Sequence, residues 1–283
     1  MSPQRNVPSV ERDYNTLTLP LAPSPCGYRW GMAGRDEIID FLDTLLEPGA
    51  FDDYGPNGLQ VPGAEEVAVV VTGVSAQVEL FERAAAERAQ FVLCHHGLFW
   101  DFHPRTVGPS MKRRLQALFD ADLSLAGYHL PLDAHPEVGN NALVCRALGL
   151  DPAERFASHR GQPVGFVGRS AEGVPFGELR ERCRAALGRE PFVWDTGPEL
   201  VHALGVVTGS AAGSLGEAIA LGLDGLLTGE PAEHVMADAR EAGVHFIAGG
   251  HYATETFGVR RLGDMLAETF GVEHRFIDLP NPI

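Results

Sequence analysis

The sequence predicts an α/β protein built from two similar three-layer units, and two patterns carry this prediction. Short apolar runs alternate with helical segments along most of the chain, which is typical of parallel sheets covered by helices. Segments 67–97 and 201–230 also resemble each other, since each reads as strand, Thr-Gly turn, helix, strand and polar residues. We interpret this likeness as an internal duplication, although short strand–helix turns also recur without one. A metal site is expected in the cleft between the two units.

The first unit is predicted over residues 33–150. A stripe of isoleucine, leucine and phenylalanine over 35–49 indicates an amphipathic helix that ends at a Pro-Gly pair. The second predicted helix has Ser75 as its N-cap. The elements after the first helix are, in order, a strand over 67–74, a helix over 75–89, a strand over 91–96, a helix over 109–122, a strand over 123–131 and a helix over 140–150.

The second unit is predicted over residues 151–283, with a C-terminal segment that can pack back on the first unit. Its opening stretch, 151–165, carries prolines and glycines, and we interpret it as the boundary between the units. Apolar patterns then predict strands over 165–170, 191–197, 201–209, 225–230 and 244–250, helices over 175–187, 214–222, 233–243 and 255–271, and a closing strand and tail over 272–282.

Residues 1–32 differ from the rest of the chain because they are rich in proline and show neither helical nor strand periodicity. They also lack the apolar core of a secretory signal. We therefore predict a disordered extension and take Met32 as the functional start. The alternative is a strap that packs on a neighbouring chain.

Composition argues against several classes of partner. The net charge is −16, and such an acidic surface repels phosphate backbones and anionic membranes, so nucleic acid is not an expected partner. A small anionic substrate held by a metal ion remains compatible with this charge.

The 4 cysteines are far apart and form no disulfide or zinc pattern, which favours a reducing, cytoplasmic location. No apolar run approaches the roughly 18 residues that a membrane span needs.

Three of the predicted strands end in clusters of imidazoles and carboxylates. Ligands of α/β proteins gather at the carboxyl ends of the strands, so side chains there are candidates for a shared site. The clusters are His95 and His96, then His129, Asp133 and His135, and finally His251 and Glu255. Each cluster could arise without a shared site, as surface histidines, a turn aspartate or a glutamate that complements a helix dipole. Because all three clusters lie at the carboxyl ends of predicted strands, a shared ligand-binding site is favoured.

Taken together, these side chains have the chemistry of a metal centre. The spacing of His251 and Glu255 places both on one side of a helical turn. The adjacent His95 and His96 can serve two neighbouring ions, and Asp133 lies in a stiff loop where its carboxylate can bridge them. Imidazole and carboxylate donors without thiolates suit Zn, Fe or Mn and argue against a closed structural zinc site. The residues therefore predict two divalent ions with free positions for water.

Two side chains near these clusters are not predicted to bind the ions. Glu230 ends a strand at the same edge, where it either approaches the ions or caps the helix predicted after it, and the cap is favoured. Cys94 precedes the histidines and should point away from them into the sheet, because side chains alternate along a strand. The predicted ligand set therefore includes neither residue.

Several ordered phrases resemble the NIF-three-like family, whose members also carry the names GTP cyclohydrolase I type 2 and dinuclear metal-centre hexameric protein. The phrases are NGLQV (57–61), CHHGLFW (94–100), GYHLPLDAHPEVGNNA (127–142), TGE (228–230), GGHYATE (249–255) and FIDLPNP (276–282). The resemblance spans residues 33–283 and is to the short bacterial form, which lacks a large inserted domain. The chain departs from the family pattern over 54–56, where the family usually has an aromatic residue and an acid before the retained Asn57, and at Asp101, where relatives often have a lysine.

The resemblance implies metal ligands at the positions that match the family's phrases. These positions are His95, His96, Asp133, His251 and Glu255, the same set that the strand ends indicate. It also points to His129 as a catalytic proton carrier or as a support for the ligands, because an imidazole titrates near neutral pH. A purely structural histidine is the alternative for His129.

The function implied by the resemblance is that of a dinuclear metal-dependent hydrolase. It would activate a bridging water toward a small phosphoester or nucleotide-type substrate, as the name GTP cyclohydrolase I type 2 indicates. The alternative is a non-catalytic metal-binding protein that stores or delivers metal or serves as a ring-shaped scaffold. The resemblance further implies a toroidal homohexamer arranged as a trimer of dimers. The sequence contains neither a Walker lysine nor a GxGxxG motif, so the nucleotide rests on the resemblance alone.

Overall fold

The computed structural model describes residues 31–283, which form a mixed α/β structure, as the sequence predicts. The disordered extension predicted over 1–32 lies outside the described residues, apart from its last two positions. Among the described residues, no helix combines the length and the apolar character needed to cross a membrane.

The regular elements largely follow the predicted order. Those up to residue 150 are β1 (Ala33–Gly34), α1 (Arg35–Leu46), β2 (Gly58–Val61), β3 (Glu66–Val67), β4 (Val69–Ser75), α2 (Val78–Ala86), β5 (Phe91–His96), α3 (Pro109–Asp120), β6 (Ser124–Gly127), α4 (Leu130–Ala134) and α5 (Asn140–Ala147). Those after it are β7 (Asp151–His159), β8 (Gln162–Pro175), α6 (Phe176–Leu187), β9 (Phe192–Trp194), β10 (Leu200–Val206), α7 (Leu215–Ala220), β11 (Gly225–Thr228), α8 (Val235–Ala242), β12 (His245–Ala248), α9 (His251–Thr254), α10 (Thr256–Phe270) and β13 (Glu273–Phe276). Single 3-10 turns occur at Pro48–Ala50 and Ala212–Ser214.

The first sheet has five strands in the order β13-β4-β5-β6-β2. The strands β13, β4, β5 and β6 are parallel, and β2 pairs antiparallel with β6. The central runs of β4 and β5 are almost wholly buried, which explains why they read as continuous apolar segments. The short strands β1 and β3 form a separate antiparallel pair.

The second sheet has six strands in the order β7-β8-β10-β11-β12-β9. Its strands β10, β11 and β12 are parallel, and the outer strands pair antiparallel. Both sheets thus contain three consecutive parallel strands joined by helices, with an antiparallel strand beside the third. This likeness accords with the proposed duplication, which stays a prediction, as do the boundaries of the two units.

The assignment of Ser75 as a helix cap is wrong. β4 continues through Ser75, which pairs with His96 of β5, while α2 begins at Val78 with Gln77 as its N-cap. The Ser75 hydroxyl lies 3.1 Å from Nδ1 of His96. Pairing with a distant strand therefore overrides the local signal for a helix start.

The stretch 151–165, interpreted as a boundary, forms regular β-structure at the edge of the second sheet. β7 and β8 pair antiparallel around a turn at Arg160 and Gly161, whose φ values are 45° and 86°. Pro152 is tolerated because β7 is an edge strand with one neighbour only. The prolines that resemble a break in the sequence are thus accommodated within a strand.

Helix α10 connects the two sheets. It follows β12 of the second sheet but packs on β4 and β5 of the first, and β13 after it pairs in parallel with β4. Its apolar face presents Val259, Leu262 and Leu266, which are fully buried against Val70 and Phe91. Complete burial of such a side chain contributes roughly 1.5–3 kcal/mol. The N-terminal end of α10, where the sequence predicts metal ligands, is therefore held between both sheets.

Candidate metal centre

The carboxyl ends of parallel strands from both sheets meet at one cavity of about 810 Å³. Residues predicted from the sequence form part of its wall, namely His96, His129, Asp133, His251 and Glu255. The predicted site therefore lies where the two sheets face each other.

All five predicted metal ligands come together in two groups that share Glu255. One group consists of His96, His251 and Glu255, and the other of His95, Asp133 and Glu255, while His129 forms a further group with His95 and His96. In each group, one donor atom from every residue lies within 4.8 Å of the others. Two neighbouring ions joined by one carboxylate require an arrangement of this kind.

Glu255 contacts both groups through its two carboxylate oxygens. Oε2 lies 3.1 Å from Nε2 of His96 and 3.2 Å from Nε2 of His251. Oε1 lies 3.5 Å from Nε2 of His95, and the same nitrogen lies 3.4 Å from Oδ2 of Asp133. The donors of each group therefore converge on a separate point.

Two of these converging atoms are buried without a hydrogen bond. His95 is 0% exposed and Glu255 is 2% exposed. Among the described residues, Nε2 of His95 and Oε2 of Glu255 have no hydrogen-bond partner of acceptable geometry. An unsatisfied buried polar atom typically costs about 1–3 kcal/mol. Divalent cations would satisfy both atoms, since imidazole nitrogen and carboxylate oxygen are their usual donors, so the residues fit a metal centre.

A hydrogen bond at Nδ1 orients each of the three candidate histidine ligands. Their Nε2 atoms therefore point toward the carboxylate of Glu255. The partners of Nδ1 are the Tyr128 carbonyl for His95 at 3.0 Å, the Ser75 hydroxyl for His96 at 3.1 Å and the Glu230 carboxylate for His251. Partners at this nitrogen fix the tautomer and ring orientation of metal-binding histidines. The rings are thus prepared to present Nε2 to an ion.

Amide and hydroxyl groups orient Asp133. Its Oδ1 accepts hydrogen bonds from Nδ2 of Asn140 at 2.8 Å and from Oγ1 of Thr208 at 3.2 Å. Oδ1 of Asn140 in turn accepts the backbone N–H of Gly258, in α10, at 2.7 Å. Asn140 therefore ties the carboxylate of Asp133 to the helix that begins beside Glu255.

Glycines allow the backbone to approach the donors closely. A Cβ at Gly209 would lie 2.4 Å from Oε1 of Glu255, and the φ of this residue is +71°. Gly250, which directly precedes His251, has a φ of +98°. Residues with a side chain rarely adopt such angles, so both positions favour glycine.

His129 lies beside the donor cluster and is held by a separate set of hydrogen bonds. Its Nδ1 donates to Oδ1 of Asp53 at 2.7 Å, and its backbone N–H donates to Oδ1 of Asn57 at 2.7 Å. Burial would raise the pKa of Asp53, but the hydrogen bond from His129 helps to lower it to about 2. The His129 ring centroid lies 5.0 Å from that of His95. Nε2 of His129 is therefore the nitrogen available to the cavity.

Known proteins are similar to this chain in sequence and in fold. The family model for Duf34/NIF3 (NGG1p interacting factor 3) matches residues 33–282. The chain belongs to the Duf34/NIF3 family. The match includes both sheets and every residue of the candidate metal centre.

Relatives within the Duf34/NIF3 family are similar over nearly their whole length. A Pseudomonas aeruginosa protein named GTP cyclohydrolase 1 type 2 homolog is 42% identical over 245 residues, which are 87% of this chain and 97% of the relative. A Deinococcus radiodurans protein of the same name is 38% identical over 250 residues, which are 88% and 95% of the two chains.

Solved structures show the same fold. Protein ybgI, described as of unknown function, is 39% identical with a TM-score of 0.84, covering 89% of this chain and 100% of its own. TTHA1606 from Thermus thermophilus is 35% identical with a TM-score of 0.78, covering 89% and 100% of the two chains. The α/β architecture is therefore that of the Duf34/NIF3 family.

Glu230 does not have the capping role that the sequence favours. Helix α8 begins at Val235 with His234 as its N-cap, and no side chain caps it. The Glu230 carboxylate instead accepts a hydrogen bond from Nδ1 of His251. Cys94 is fully buried in the sheet, as predicted, and burial raises the pKa of its thiol.

Sequence reasoning missed several residues that support the site. Asp53 lies outside the phrases that carry the resemblance, although it precedes one of them by four residues. Asn140 lies inside such a phrase, and its amide chemistry could have indicated a partner for a carboxylate. His135 does not join the cluster, because its Nδ1 accepts backbone N–H groups of Glu137 and Val138 at 3.1 and 3.2 Å.

The charges in this Duf34/NIF3 site are set by burial and by mutual attraction. Burial disfavours the charged form of His95, but Asp133 and Glu255 outweigh it and raise its pKa to about 9. Burial also opposes the charge on His251, where Glu255 and then Glu230 raise the pKa to about 9. Burial likewise opposes ionisation of Glu255, yet the imidazoles around it hold its pKa well below the usual range. Without metal, protonated imidazoles thus balance the buried carboxylates.

The replacement Glu255→Gln is expected to weaken metal binding, because the amide lacks the charge that the two groups of donors share. Loss of an outer-sphere partner typically costs roughly 10–100-fold in metal affinity, so loss of this donor should cost at least that much. The measurement is metal content per chain after equilibrium dialysis against Mn²⁺ or Zn²⁺. Glu268→Gln, in an exposed ion pair with Arg261, is the matched control. Equal metal content in both variants would contradict the assignment.

Metal affinity is expected to rise with pH. The raised pKa values of His95 and His251 mean that both are protonated near neutrality, and metal must displace these protons. Affinity should therefore increase with pH through about pH 9, the pKa of both imidazoles, and level off only above it, where both are neutral. Calorimetric titration in buffers of different ionisation enthalpy counts the protons released. Binding without proton release would show that these histidines are not ligands.

Proposed function

We propose that this Duf34/NIF3 protein is a dinuclear metal-dependent hydrolase that acts on a small phosphoester or nucleotide-type molecule. The proposal rests on the buried cluster in which Glu255 is shared by two groups of donors. Paired ions about 3.5–4 Å apart are a recurrent device for hydrolysing phosphate esters and related bonds. A single structural ion would need neither two groups of donors nor an open cavity.

Two divalent ions of the Zn, Fe or Mn class are proposed, one in each group of donors. Ions of this class acidify water and polarise the bond under attack. Three protein donors per ion leave positions for water and substrate, in contrast to a closed structural site. Glu255, which both groups share, would set the separation of the two positions, and Asp133, held by Asn140, would contribute to one of them.

His129 is proposed to carry the proton. Asp53 binds Nδ1 of His129 and so fixes the tautomer in which Nε2 receives a proton. The ring lies among the donors, with its centroid 5.6 Å from that of His96. A histidine in this position can take a proton from an attacking water and return it to the leaving group.

The cavity and the names of relatives support a small-molecule substrate. A cavity of about 810 Å³ is within the usual range for small ligands. The similar proteins from Pseudomonas aeruginosa and Deinococcus radiodurans are named GTP cyclohydrolase 1 type 2 homolog, which supports a nucleotide among the candidates. We also propose a cytoplasmic, toroidal homohexamer, arranged as a trimer of dimers, on the strength of the family resemblance.

The metal-loaded protein is expected to hydrolyse at least one member of a panel of phosphomonoesters, phosphodiesters and nucleotides that includes GTP. His96→Ala removes a donor from one group, so its turnover should fall to near background. The matched control is His234→Ala, because His234 is an exposed histidine at the start of α8. Full metal content without turnover of any compound would instead favour the non-catalytic storage, delivery or scaffold protein.

His129→Gln is expected to lower kcat by roughly 10²–10⁴-fold, the usual contribution of a general acid or base, while metal content stays unchanged. Steady-state kinetics and metal analysis of the same preparation measure both quantities. An unchanged kcat would leave His129 as a structural residue.

A further inference from the structure

One wall of the cavity is aromatic, and the proposed metal centre does not account for it. Tyr54, Trp100 and Phe102 line this part of the cavity, and we call them the aromatic wall. Phe102 is 70% exposed and Tyr54 is 38% exposed. Exposed aromatic surface that borders a cavity commonly marks a place where a ligand binds.

We propose that the aromatic wall binds a planar aromatic or heteroaromatic ring of a ligand whose anionic group lies at the metal centre. This inference rests on the proposed function for the role of that ligand as substrate. Binding of the ring itself requires no turnover.

The aromatic wall begins at the donor cluster and extends away from it. The Trp100 ring meets His129 edge-to-face, with centroids 5.1 Å apart, and lies 5.8 Å from the ring of His96. Phe102 stacks on Trp100 at 5.6 Å with 22° between the planes. Tyr54 lies 6.0 Å from His129. A ring attached to a group at the metal centre would therefore lie next to these side chains.

Hydrogen bonds hold the aromatic wall in place before any ligand binds. Nε1 of Trp100 donates to the Gly97 carbonyl at 3.1 Å. The backbone N–H of Asp101 donates to the carbonyl of Tyr54 at 2.7 Å, which joins the two loops that carry the rings. A surface ordered in advance loses little conformational entropy when a ligand binds.

The rest of the cavity favours an uncharged ring over a cationic group. The remaining wall includes the small apolar side chains Ala157, Val164 and Val207. Aromatic rings also attract cations. However, Asp133 and Glu255 are the only described acidic residues that line the cavity, and both belong to the metal centre. A cationic ligand would therefore meet no counter-charge at the aromatic wall.

The test compares two non-hydrolysable probes, phenylphosphonate and cyclohexylphosphonate. They carry the same anionic group and rings of six carbons, but only the first ring is planar and aromatic. Their Kd values for the full-length, Mn²⁺-loaded protein are measured by calorimetry. Phenylphosphonate is expected to bind about two- to tenfold more tightly, the gain typical of an aromatic pair.

Substitutions in the aromatic wall then test which side chains cause the tighter binding of phenylphosphonate. Trp100→Leu and Phe102→Ala should abolish it, whereas Trp100→Phe should retain most of it. Phe119→Ala is the control, because Phe119 is 61% exposed on α3 but does not line the cavity. Metal content is measured for each variant, so that loss of the ions is not mistaken for loss of the ring contact.

Equal affinities for the two probes, or no measurable binding of either, would overturn the inference. A change in oligomeric state on Phe102→Ala, with the preference for phenylphosphonate intact, would also overturn it and assign this surface to contacts between chains. A clear preference in a protein that hydrolyses nothing would refute the proposed function alone. Hydrolysis without a preference would refute the aromatic subsite alone.

Discussion

The fold and the site both depend on keeping one negative charge, the carboxylate of Glu255, inside the protein. A buried carboxylate is strongly disfavoured unless opposite charges or donors surround it. The first sheet supplies His95 and His96, and the turn after β12 of the second sheet supplies His251. Only the docked arrangement of both sheets meets this requirement. The packing of α10 on β4 and β5 therefore supports both the fold and the position of the carboxylate.

The two sheets place similar groups at equivalent strand ends. His129 follows β6, and His251 follows β12, the third parallel strand in each sheet. In both, Nδ1 binds a carboxylate, from Asp53 in one case and Glu230 in the other. A duplication would produce this correspondence. These two histidines differ at Nε2, because that of His251 meets the shared carboxylate of Glu255, whereas among the described contacts that of His129 does not.

The sequence was sufficient for the α/β class, for the parallel strands of both sheets and for the side chains that meet in the cluster. Apolar runs and strand ends are local signals, so they can be read without the fold. The misjudged residues have distant partners: Ser75 and Glu230 each contact a histidine 21 residues away, and Asp53 contacts one 76 residues away. Local sequence patterns suggested a helix cap for Ser75 and for Glu230 and no role for Asp53. Nothing nearby in the chain indicates which strand these side chains will face.

The unequal burial of the two donor groups has a kinetic consequence. His95 has a fully buried side chain, whereas the side chains of His96 and His251 are 19% and 27% exposed. An ion held by His95 and Asp133 would be reached from the cavity on the side that Asp133 lines, because His95 itself is fully buried. Such an ion would therefore exchange more slowly than one held by His96 and His251, whose side chains are more exposed. Any ions bound here would thus differ in how readily the surrounding solution replaces them.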